Sequence, residues 1–500
     1  MAQPNILLIM SDQHRPDCYG FAGRNIQTPH LDRLASEGAR FNCAVTPNVL
    51  CQPSRASLLT GMMPLTHGVY DNQISLDPAI GEQGWARQLA NVGYHSKFIG
   101  KAHFGVADSA TPWGSPEARA HSENFPEHWN GPYMGFDDLE LMNLGHWHEL
   151  LPCEKPPRGQ HFERWFWSHP DPWVRWAEDS RTGKNANYGI DADQTWHSNL
   201  PAEWHSTTWV TERAVNFLNS RQSGDKPFCA WVSYPDPHHP FDCPEPWASL
   251  HKPEAVDISR SHQRDLYQRP WWHQAALEGK PTGEKRNQIL RTQYSRMQPQ
   301  SDDQLRAMTA NYFNMIAFID DGVGKILDTL AQTGLDRETY VIFTSDHGEL
   351  LGDHGLYLKG PWHYDNLLRV GMLVRGPGID AGQVNDSPVC TLDLAQTFCD
   401  WGGAVLSDRS TSRSLRPTLE RGESIRAHVM NEWDIQSRRL GVPLKLRTAR
   451  SEHARLTVEL GSGAGELYDF NNDPDEMINL WDDPAASGLK QEMLDRLESE

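Results

Sequence analysis

The sequence lacks several features that would each indicate a class of protein. It has no apolar run of membrane-spanning length, no fixed-period repeat and no low-complexity tract. Its 8 cysteines form no CxxC pair and no regular framework, so we expect free thiols, not disulfides. An excess of basic charge is also missing, because the formal net charge is −20. This charge argues against nucleic acid or an anionic membrane as partner.

The N-terminus has no basic region, and its apolar stretch, residues 5–10, is too short for a signal peptide. We therefore predict a cytoplasmic protein. With 38% hydrophobic residues the chain is typical of a soluble globular protein, and 500 residues exceed what one hydrophobic core usually organises. Two unequal domains are expected, and both a monomer and a homo-oligomer remain open.

Short apolar runs alternate with helical segments along the chain. Thr28 and Pro29 are typical of a helix start, and residues 303–330 predict a long helix. This alternation predicts an α/β fold with a large, mostly parallel sheet flanked by helices. The runs read as buried strands are residues 5–10, 96–99, 228–234 and 340–344.

Two other regions differ from the rest of the chain in composition and in periodicity. Residues 107–300 hold most of the 19 tryptophans with weak periodicity, and we interpret them as insertions over the sheet. Their aromatic cluster is more typical of packing than of a substrate pocket; it comprises Trp165, Trp167, Trp173, Trp176, Trp271 and Trp272. Strand-like runs at 427–431, 444–448 and 455–460, then a helix at 487–497, predict a small antiparallel α+β domain. The predicted domains are 1–405 and 406–500.

Polar residues of catalytic type follow the predicted strands. Asp12 follows the first strand, Lys101 and His103 the second, and His238 the third, while Asp346 and His347 follow the fourth. The carboxyl ends of parallel strands meet at one edge of a sheet, so we expect these side chains to form a site there.

The segment Cys51-Gln52-Pro53-Ser54-Arg55, followed by a helical stretch to Thr60-Gly61, resembles the C-x-P-S-R signature of type I sulfatases. Other segments resemble the same family in order and spacing, namely Asp12-Gln13, Gly100-Lys101-Ala102-His103, Pro237-His238-His239-Pro240, Ser345-Asp346-His347-Gly348 with Lys359, and Gly465-Glu466-Leu467-Tyr468-Asp469. The chain is thus identified as similar to the sulfatases of the alkaline phosphatase superfamily.

The resemblance implies a chemistry. Cys51 would be oxidised to formylglycine by a formylglycine-generating enzyme, and its hydrate would attack a sulfate ester. One divalent metal would be held by Asp12, Gln13, residue 51, Asp346 and His347. Oxygen ligands suit calcium, while an imidazole is more at home on manganese, so both metals stay open.

Basic residues would supply the local positive charge that an anionic substrate requires. By resemblance Lys101 and Lys359 hold sulfate oxygens, His238 protonates the leaving oxygen and His103 takes a proton when sulfate is released. Arg55 lies one helical turn from Cys51, within reach of the hydrate. A histidine pKa near neutrality would suit both histidine roles, and we assign His239 no role.

Three functions follow as hypotheses. The first is an arylsulfatase-type sulfuric ester hydrolase acting on a small anionic ester. The second is a phosphonate monoester or phosphodiester hydrolase with the same nucleophile, a reading favoured by Gln13 and His347 but opposed by the Lys101 and His103 pair. A catalytically inactive binding module is the third, and the complete set of polar residues argues against it.

Overall fold

The computed structural model describes residues 3–106, 113–122, 124–143, 160–172, 188–222, 224–283, 285–289, 291–292 and 295–499. Strands and helices alternate over most of these residues. The strands are β1 (Asn5–Ser11), β2 (Ala39–Val45), β3 (His95–Lys101), β4 (Asp138–Met142), β5 (Thr195–Ser198), β6 (Phe228–Ser233), β7 (Phe241–Pro244), β8 (Thr339–Ser345), β9 (Arg369–Arg375), β10 (Gln383–Asn385), β11 (Val389–Cys390), β12 (His428–Ile435), β13 (Leu444–Ser451), β14 (Ala454–Glu459) and β15 (Gly465–Asp469).

The helices range from single turns to one of 32 residues. They are α1 (Pro29–Ser36), α2 (Cys51–Thr60), α3 (Pro64–His67), α4 (Pro78–Gly81), α5 (Trp85–Asn91), α6 (Arg119–Ser122), α7 (His161–Trp167), α8 (Ser206–Asn219), α9 (Trp271–Glu278), α10 (Lys285–Ile289), α11 (Asp302–Thr333), α12 (Asp365–Leu368), α13 (Asp393–Gly402), α14 (Arg416–Arg421), α15 (Ser437–Leu440) and α16 (Ser487–Glu498).

The large sheet of the described chain has nine strands, in the order β10-β2-β9-β8-β1-β6-β3-β4, with β11 also paired to β2. Its pairings are parallel except those of β9 with β2 and β8. The predicted mostly parallel sheet is therefore confirmed. Strand β1 lies between β8 and β6, and all of its seven residues are buried, which explains its continuous apolar run.

Successive residues of β1 point to opposite faces of the sheet. Ile6, Leu8 and Met10 join the hydrophobic core on one face, and Leu7 and Ile9 join the core on the other. Helices α2, α5 and α13 contribute to the first core, and α8 and α11 contribute to the second. The sheet is thus covered by helices on both sides, as the sequence predicts.

The start of α1 is capped by a carboxylate from far along the chain. Thr28 occupies the predicted position before the helix, but its hydroxyl donates to Asp32 Oδ1 at 3.0 Å and does not cap the helix. Asp320 of α11 instead accepts from the backbone N–H groups of His30 (3.1 Å) and Leu31 (2.7 Å). A tertiary contact therefore satisfies two of the N–H groups that a helix start leaves open.

The C-terminal segment forms a four-stranded sheet in the order β12-β13-β14-β15, antiparallel throughout, against which α16 packs. This confirms the predicted antiparallel α+β unit. One hydrophobic cluster includes Val45 and Leu50 together with Trp433 and Leu446, so the small sheet shares a core with the N-terminal part. The domain boundary between residues 405 and 406 stays a prediction.

The cysteine prediction holds wherever the structure describes a cysteine. Seven cysteines are free and buried; the eighth, Cys153, lies outside the described residues. Among the helices of the described ranges, none combines the length and apolar content that a membrane crossing requires.

Two of the clustered tryptophans have packing roles. Trp165 packs against the core beneath α8, and Trp272 is fully buried against the small sheet. Trp271 is 45% exposed and donates to Ser462 Oγ. Trp173 and Trp176 lie outside the described residues.

Candidate active site

The polar residues that follow the strands converge at the carboxyl edge of the large sheet. Asp12 follows β1, Lys101 ends β3 and Asp346 follows β8, while Cys51 is the first residue of α2. Ligand atoms of Asp12, Cys51, Asp346 and His347 all lie within 4.8 Å of one another, and all four residues are fully buried. The expectation that these strand ends meet is therefore confirmed.

The residues after Cys51 fix helix α2 against the sheet. Pro53 lies in the first turn, where a missing N–H costs no helical hydrogen bond. Ser54 Oγ donates to the carbonyl oxygen of Asp346 at 2.6 Å and accepts from Thr46 Oγ1 at 2.9 Å. Gly61, with φ of 69°, ends the helix in the left-handed region. This local structure places the Cys51 sulfur at the strand ends.

Arg55 holds the carboxylates of the site. Its Nη2 donates to Asp12 Oδ2 and its Nε to Asp346 Oδ2, both at 2.9 Å. Its Nη1 donates to Lys101 O (2.7 Å) and Ser233 Oγ (2.8 Å). The guanidinium is fully buried, and its hydrogen bonds go to these four acceptors. Arg55 therefore positions two candidate metal ligands.

Gln13 is held so that its side-chain oxygen faces the site. Its backbone has a φ of 65°, and the strained loop is anchored because Gln13 N donates to Asp346 Oδ1 at 3.0 Å. Its Nε2 donates to a Glu349 carboxylate oxygen and lies 3.2 Å from His239 Nδ1. Its Oε1 accepts from Lys359 Nζ at 2.9 Å. A carboxamide with its N–H₂ group engaged in this way can only offer oxygen to the site.

Sequence reasoning missed Glu349 and assigned His239 no role. Glu349 follows the S-D-H-G segment directly, which is the one signal that would have drawn attention to it. Its carboxylate also accepts from the backbone N–H groups of Leu351 (2.9 Å) and Leu358 (2.5 Å). Glu349 thus joins the Gln13 side chain to the loop that leads to Lys359.

The His347 ring is oriented by a carbonyl oxygen. Its Nδ1 lies 2.8 Å from Gly348 O, which requires the proton on Nδ1. Its Nε2 is therefore the ring nitrogen that faces the site, and it lies 3.2 Å from Cys51 Sγ and 3.1 Å from Lys359 Nζ. This is the arrangement by which a ligating histidine usually presents one nitrogen to a metal.

Cationic groups surround the Cys51 sulfur. Lys359 Nζ lies 2.8 Å from it, and Lys101 Nζ pairs with Asp12 Oδ2 at 2.8 Å. His103 and His238 lie close enough to the sulfur for it to affect the pKa of both imidazoles. Burial opposes ionisation of the thiol, but Lys359, His347 and Lys101 together hold the pKa of Cys51 well below its usual value. The site is therefore locally basic, as an anionic substrate requires.

The surroundings of His103 and His238 lower the pKa of both imidazoles. Burial, together with the charges of Lys359 and Lys101, lowers the pKa of His238 to about 3. Burial also lowers the pKa of His103, although Cys51 opposes the shift. For His238 the pKa is below the near-neutral value that the sequence analysis expected, because desolvation and the neighbouring ammonium groups disfavour an imidazolium. An anionic group placed between the lysines would shift both values upward.

Comparisons of the whole chain with known proteins point to one family. The family model described as "Sulfatase" matches residues 4–404, and the model "N-sulphoglucosamine sulphohydrolase, C-terminal" matches residues 352–500. The "Uncharacterized sulfatase YidJ" of Escherichia coli (strain K12) is 30% identical, with 99% of this chain and 87% of that protein covered. An "Arylsulfatase" of Clostridium perfringens (strain 13 / Type A) is 27% identical over 96% of this chain and 90% of that protein.

Solved structures share the fold over nearly the whole chain. The phosphonate monoester hydrolase SpPMH from Silicibacter pomeroyi superposes with a TM-score of 0.76 at 22% identity, covering 99% of this chain and 95% of that one. BT4656, in complex with its substrate D-glucosamine-2-N,6-O-disulfate, gives a TM-score of 0.69 at 21% identity and covers 97% of that chain. At these identities the likeness concerns the fold, which is an alkaline phosphatase-like fold common to both kinds of hydrolase.

Proposed function

Because the chain belongs to the sulfatase family, whose members hydrolyse sulfuric esters, we propose that it is an arylsulfatase-type enzyme acting through a formylglycine made from Cys51. The observation that carries the proposal is the position of Cys51. Its buried sulfur lies within 4.8 Å of candidate ligand atoms of Asp12, Asp346 and His347, and 2.8 Å from the ammonium nitrogen of Lys359. A nucleophile in this position has anion-binding groups beside it.

The donor set fits one divalent metal, Ca²⁺ or Mn²⁺. Asp12 and Asp346 offer carboxylate oxygens, Gln13 a carboxamide oxygen and His347 the lone pair of Nε2, with residue 51 as a further ligand. Hard oxygen ligands suit both ions, and the imidazole favours manganese. When bound, such a metal stabilises negative charge on the attacking oxygen and on the sulfate.

The residues of the chain have distinct tasks in the proposed reaction. One hydroxyl of the hydrated residue 51 releases its proton to solvent as its oxygen attacks sulfur, the S–O bond to the alcohol breaks, and His238 delivers a proton to the departing oxygen. Lys101 and Lys359 brace the sulfate oxygens. His103 then takes the proton of the second hydroxyl, the aldehyde reforms, and sulfate leaves. His238 is neutral before substrate binds, so the anionic sulfate has to raise its pKa before it can act as an acid.

A phosphonate monoester or phosphodiester hydrolase is the second candidate. Gln13 and His347 favour it, and the superposition on a phosphonate monoester hydrolase is compatible with it. Lys101 and His103 favour the sulfatase, since they lie around the nucleophile where phosphonate hydrolases have tyrosine and threonine. Both substrates are monoanions at a tetrahedral centre, so one site can accept both.

The test combines mass spectrometry with kinetics on protein made together with a formylglycine-generating enzyme. We expect the peptide containing residue 51 to carry the aldehyde or its hydrate, and kcat/KM to be higher for an aryl sulfate than for a matched aryl phosphonate or phosphodiester. Cys51→Ala should abolish turnover, whereas Cys399→Ala, a buried cysteine of α13, is the matched control. Full activity with an unmodified thiol would refute the formylglycine; a preference for phosphonate would establish the second candidate.

A further inference from the structure

Three arginines gather beside the start of α2. Arg439 of α15 pairs with Asp71 Oδ1, and both side chains are almost fully buried. Arg296 donates to the carbonyl oxygen of Leu440, the residue after Arg439, at 3.0 Å. Arg291 lies close enough for its charge to interact with those of Arg439, Asp71 and Arg296. Segments far apart in the sequence thus form one basic cluster.

The cluster is joined to the active site. Asn72, the neighbour of Asp71, accepts through Oδ1 from the backbone N–H of Gln52 at 3.0 Å. Gln52 is adjacent to the nucleophile position, and the charge of Cys51 is among those that act on Arg291. The arginine cluster therefore adjoins the nucleophile position through Asp71, Asn72 and Gln52.

Arg291 lacks the partners of a structural arginine. Its Nε is enclosed and has no hydrogen-bond partner among the described residues, and its Nη1 makes one long contact of 3.4 Å with Ser295 Oγ. Arg55, by comparison, has four acceptors at 2.7–2.9 Å. An enclosed donor without an acceptor is unfavourable, so the Arg291 guanidinium can take an acceptor that the described residues do not supply.

The charge balance of the cluster is positive. Asp71 is engaged by Arg439, and in the described part of the chain neither Arg291 nor Arg296 has a carboxylate partner. Burial and the nearby Arg439 lower the pKa of Arg291 to about 9, against the opposite effects of Asp71 and Cys51. Arg291 therefore stays protonated at neutral pH, in a protein whose net charge is −20.

Resting on the proposed sulfatase function, we infer that Arg291, supported by Arg439 and Arg296, forms a subsite for a second oxyanion on the alcohol part of the substrate. A carboxylate and a further sulfate share this chemistry, since each presents oxygens to the fork of a guanidinium. The preferred substrate is then a sulfate ester with at least two negative charges.

The test uses the mature full-length enzyme and two matched pairs of aryl sulfates. In the first pair the aryl ring carries a carboxylate in one member and a carboxamide in the other. In the second pair it carries a sulfonate in one member and a sulfonamide in the other. Each pair is made with the substituent at the meta position and again at the para position. We expect wild-type kcat/KM to favour the charged member of a pair. Arg291→Gln should reduce this preference by about 10- to 100-fold, the range for a charged hydrogen bond to an oxyanion. The substrate pair whose preference falls more in Arg291→Gln identifies which oxyanion, carboxylate or sulfonate, the subsite binds better.

Controls separate this subsite from other effects. Arg337→Gln, an exposed arginine outside the cluster, should leave the preference as in wild type. Calorimetric titration with benzene-1,3-disulfonate against benzenesulfonate gives the same comparison without turnover, and Arg291→Met, which also removes the charge, replaces Arg291→Gln if the latter fails to fold. Equal kcat/KM and equal binding within each pair in the wild type would overturn the inference. So would an equal loss for charged and neutral members in the variant. Absence of any sulfate-ester turnover, with the binding preference intact, would refute the proposed function alone.

Discussion

Replacement of Glu349 by glutamine tests the orientation of Gln13. One Glu349 oxygen accepts from the Gln13 side chain, and the other accepts from the backbone N–H groups of Leu351 and Leu358. Burial raises the pKa of Glu349, but its three partners are all donors, the pattern that an ionised carboxylate requires. A carboxamide has one oxygen for these two directions, so Glu349→Gln must place an N–H₂ group against a donor.

The structure indicates which contact is lost. Two backbone donors hold one end of the side chain and one side-chain donor holds the other, so the new N–H₂ group would face Gln13 Nε2. An opposed pair of buried donors costs about 1–3 kcal/mol. Gln13 escapes this cost by rotating its amide, and it then presents nitrogen in place of oxygen to the metal site and to Lys359. Loss of such an orienting partner typically lowers metal affinity by about 10- to 100-fold.

The assay is competition between the mature enzyme and a chelator of known affinity, run separately with Ca²⁺ and Mn²⁺. We expect Glu349→Gln to bind metal about 10- to 100-fold more weakly, and excess metal to recover much of kcat. Glu338→Gln changes an exposed glutamate next to β8 in the same way and should bind metal as the wild type does. Unchanged metal affinity in a folded Glu349→Gln protein would refute the reasoning about Gln13.

Three other predictions concern individual histidines and a lysine. His238→Ala should slow sulfate esters of poor leaving groups by about 10²- to 10⁴-fold and activated ones far less, seen as a steeper Brønsted plot; equal losses would indicate a positional role. His103→Ala should release a burst of alcohol and leave sulfate bound to residue 51, which mass spectrometry detects. Lys101→Ala should slow turnover without any bound sulfate. Wild-type rates in both variants would place the pair outside the site. His67 accepts from Val69 N through Nδ1, and burial lowers its pKa to about 3 from an unfolded value of 6.5. Below pH 6.5 the unfolded chain binds a proton that the folded chain does not, so the free energy of unfolding falls by about 1.4 kcal/mol per pH unit. His67→Gln should make the slope of unfolding free energy against pH, measured by denaturant titrations, smaller by this amount.

The central strands were predictable because burial on both faces leaves a simple pattern. Residues 5–10 are nearly all apolar, and they lie in β1 between two parallel neighbours. Strands farther from the centre carry no such signal. β4 reads Asp-Leu-Glu-Leu-Met with two partly exposed acidic residues, and the sequence analysis did not identify it. Strand order and the antiparallel β9 depend on pairings between distant segments, and these leave no local pattern.

In the candidate site, too, some features were predictable from the sequence and others were not. Asp12, Lys101 and Asp346 were placed correctly because each directly follows or ends a strand, and strand ends are visible in the sequence. The role of Arg55 was not visible, since its acceptors Asp12 and Asp346 come from two other strands. The charge environment of His238 was missed for the same reason, because the groups that lower its pKa belong to other segments.

Gln13 and Glu349 show why residue type at one position is an incomplete guide to the metal. Sulfatases, which the sequence resembles, more often have an aspartate at the position of Gln13. In the structure its side chain is bonded to Glu349, and an aspartate at position 13 would bring a second carboxylate toward that buried one. Two buried carboxylates without a shared proton repel each other, so Gln13 and Glu349 have to change together. The amide would offer a bound metal one neutral oxygen, and the charge that an aspartate would have supplied lies behind it on Glu349. The weaker negative charge at the site follows from this pairing, and it suits a pocket that must also accept an anionic ester.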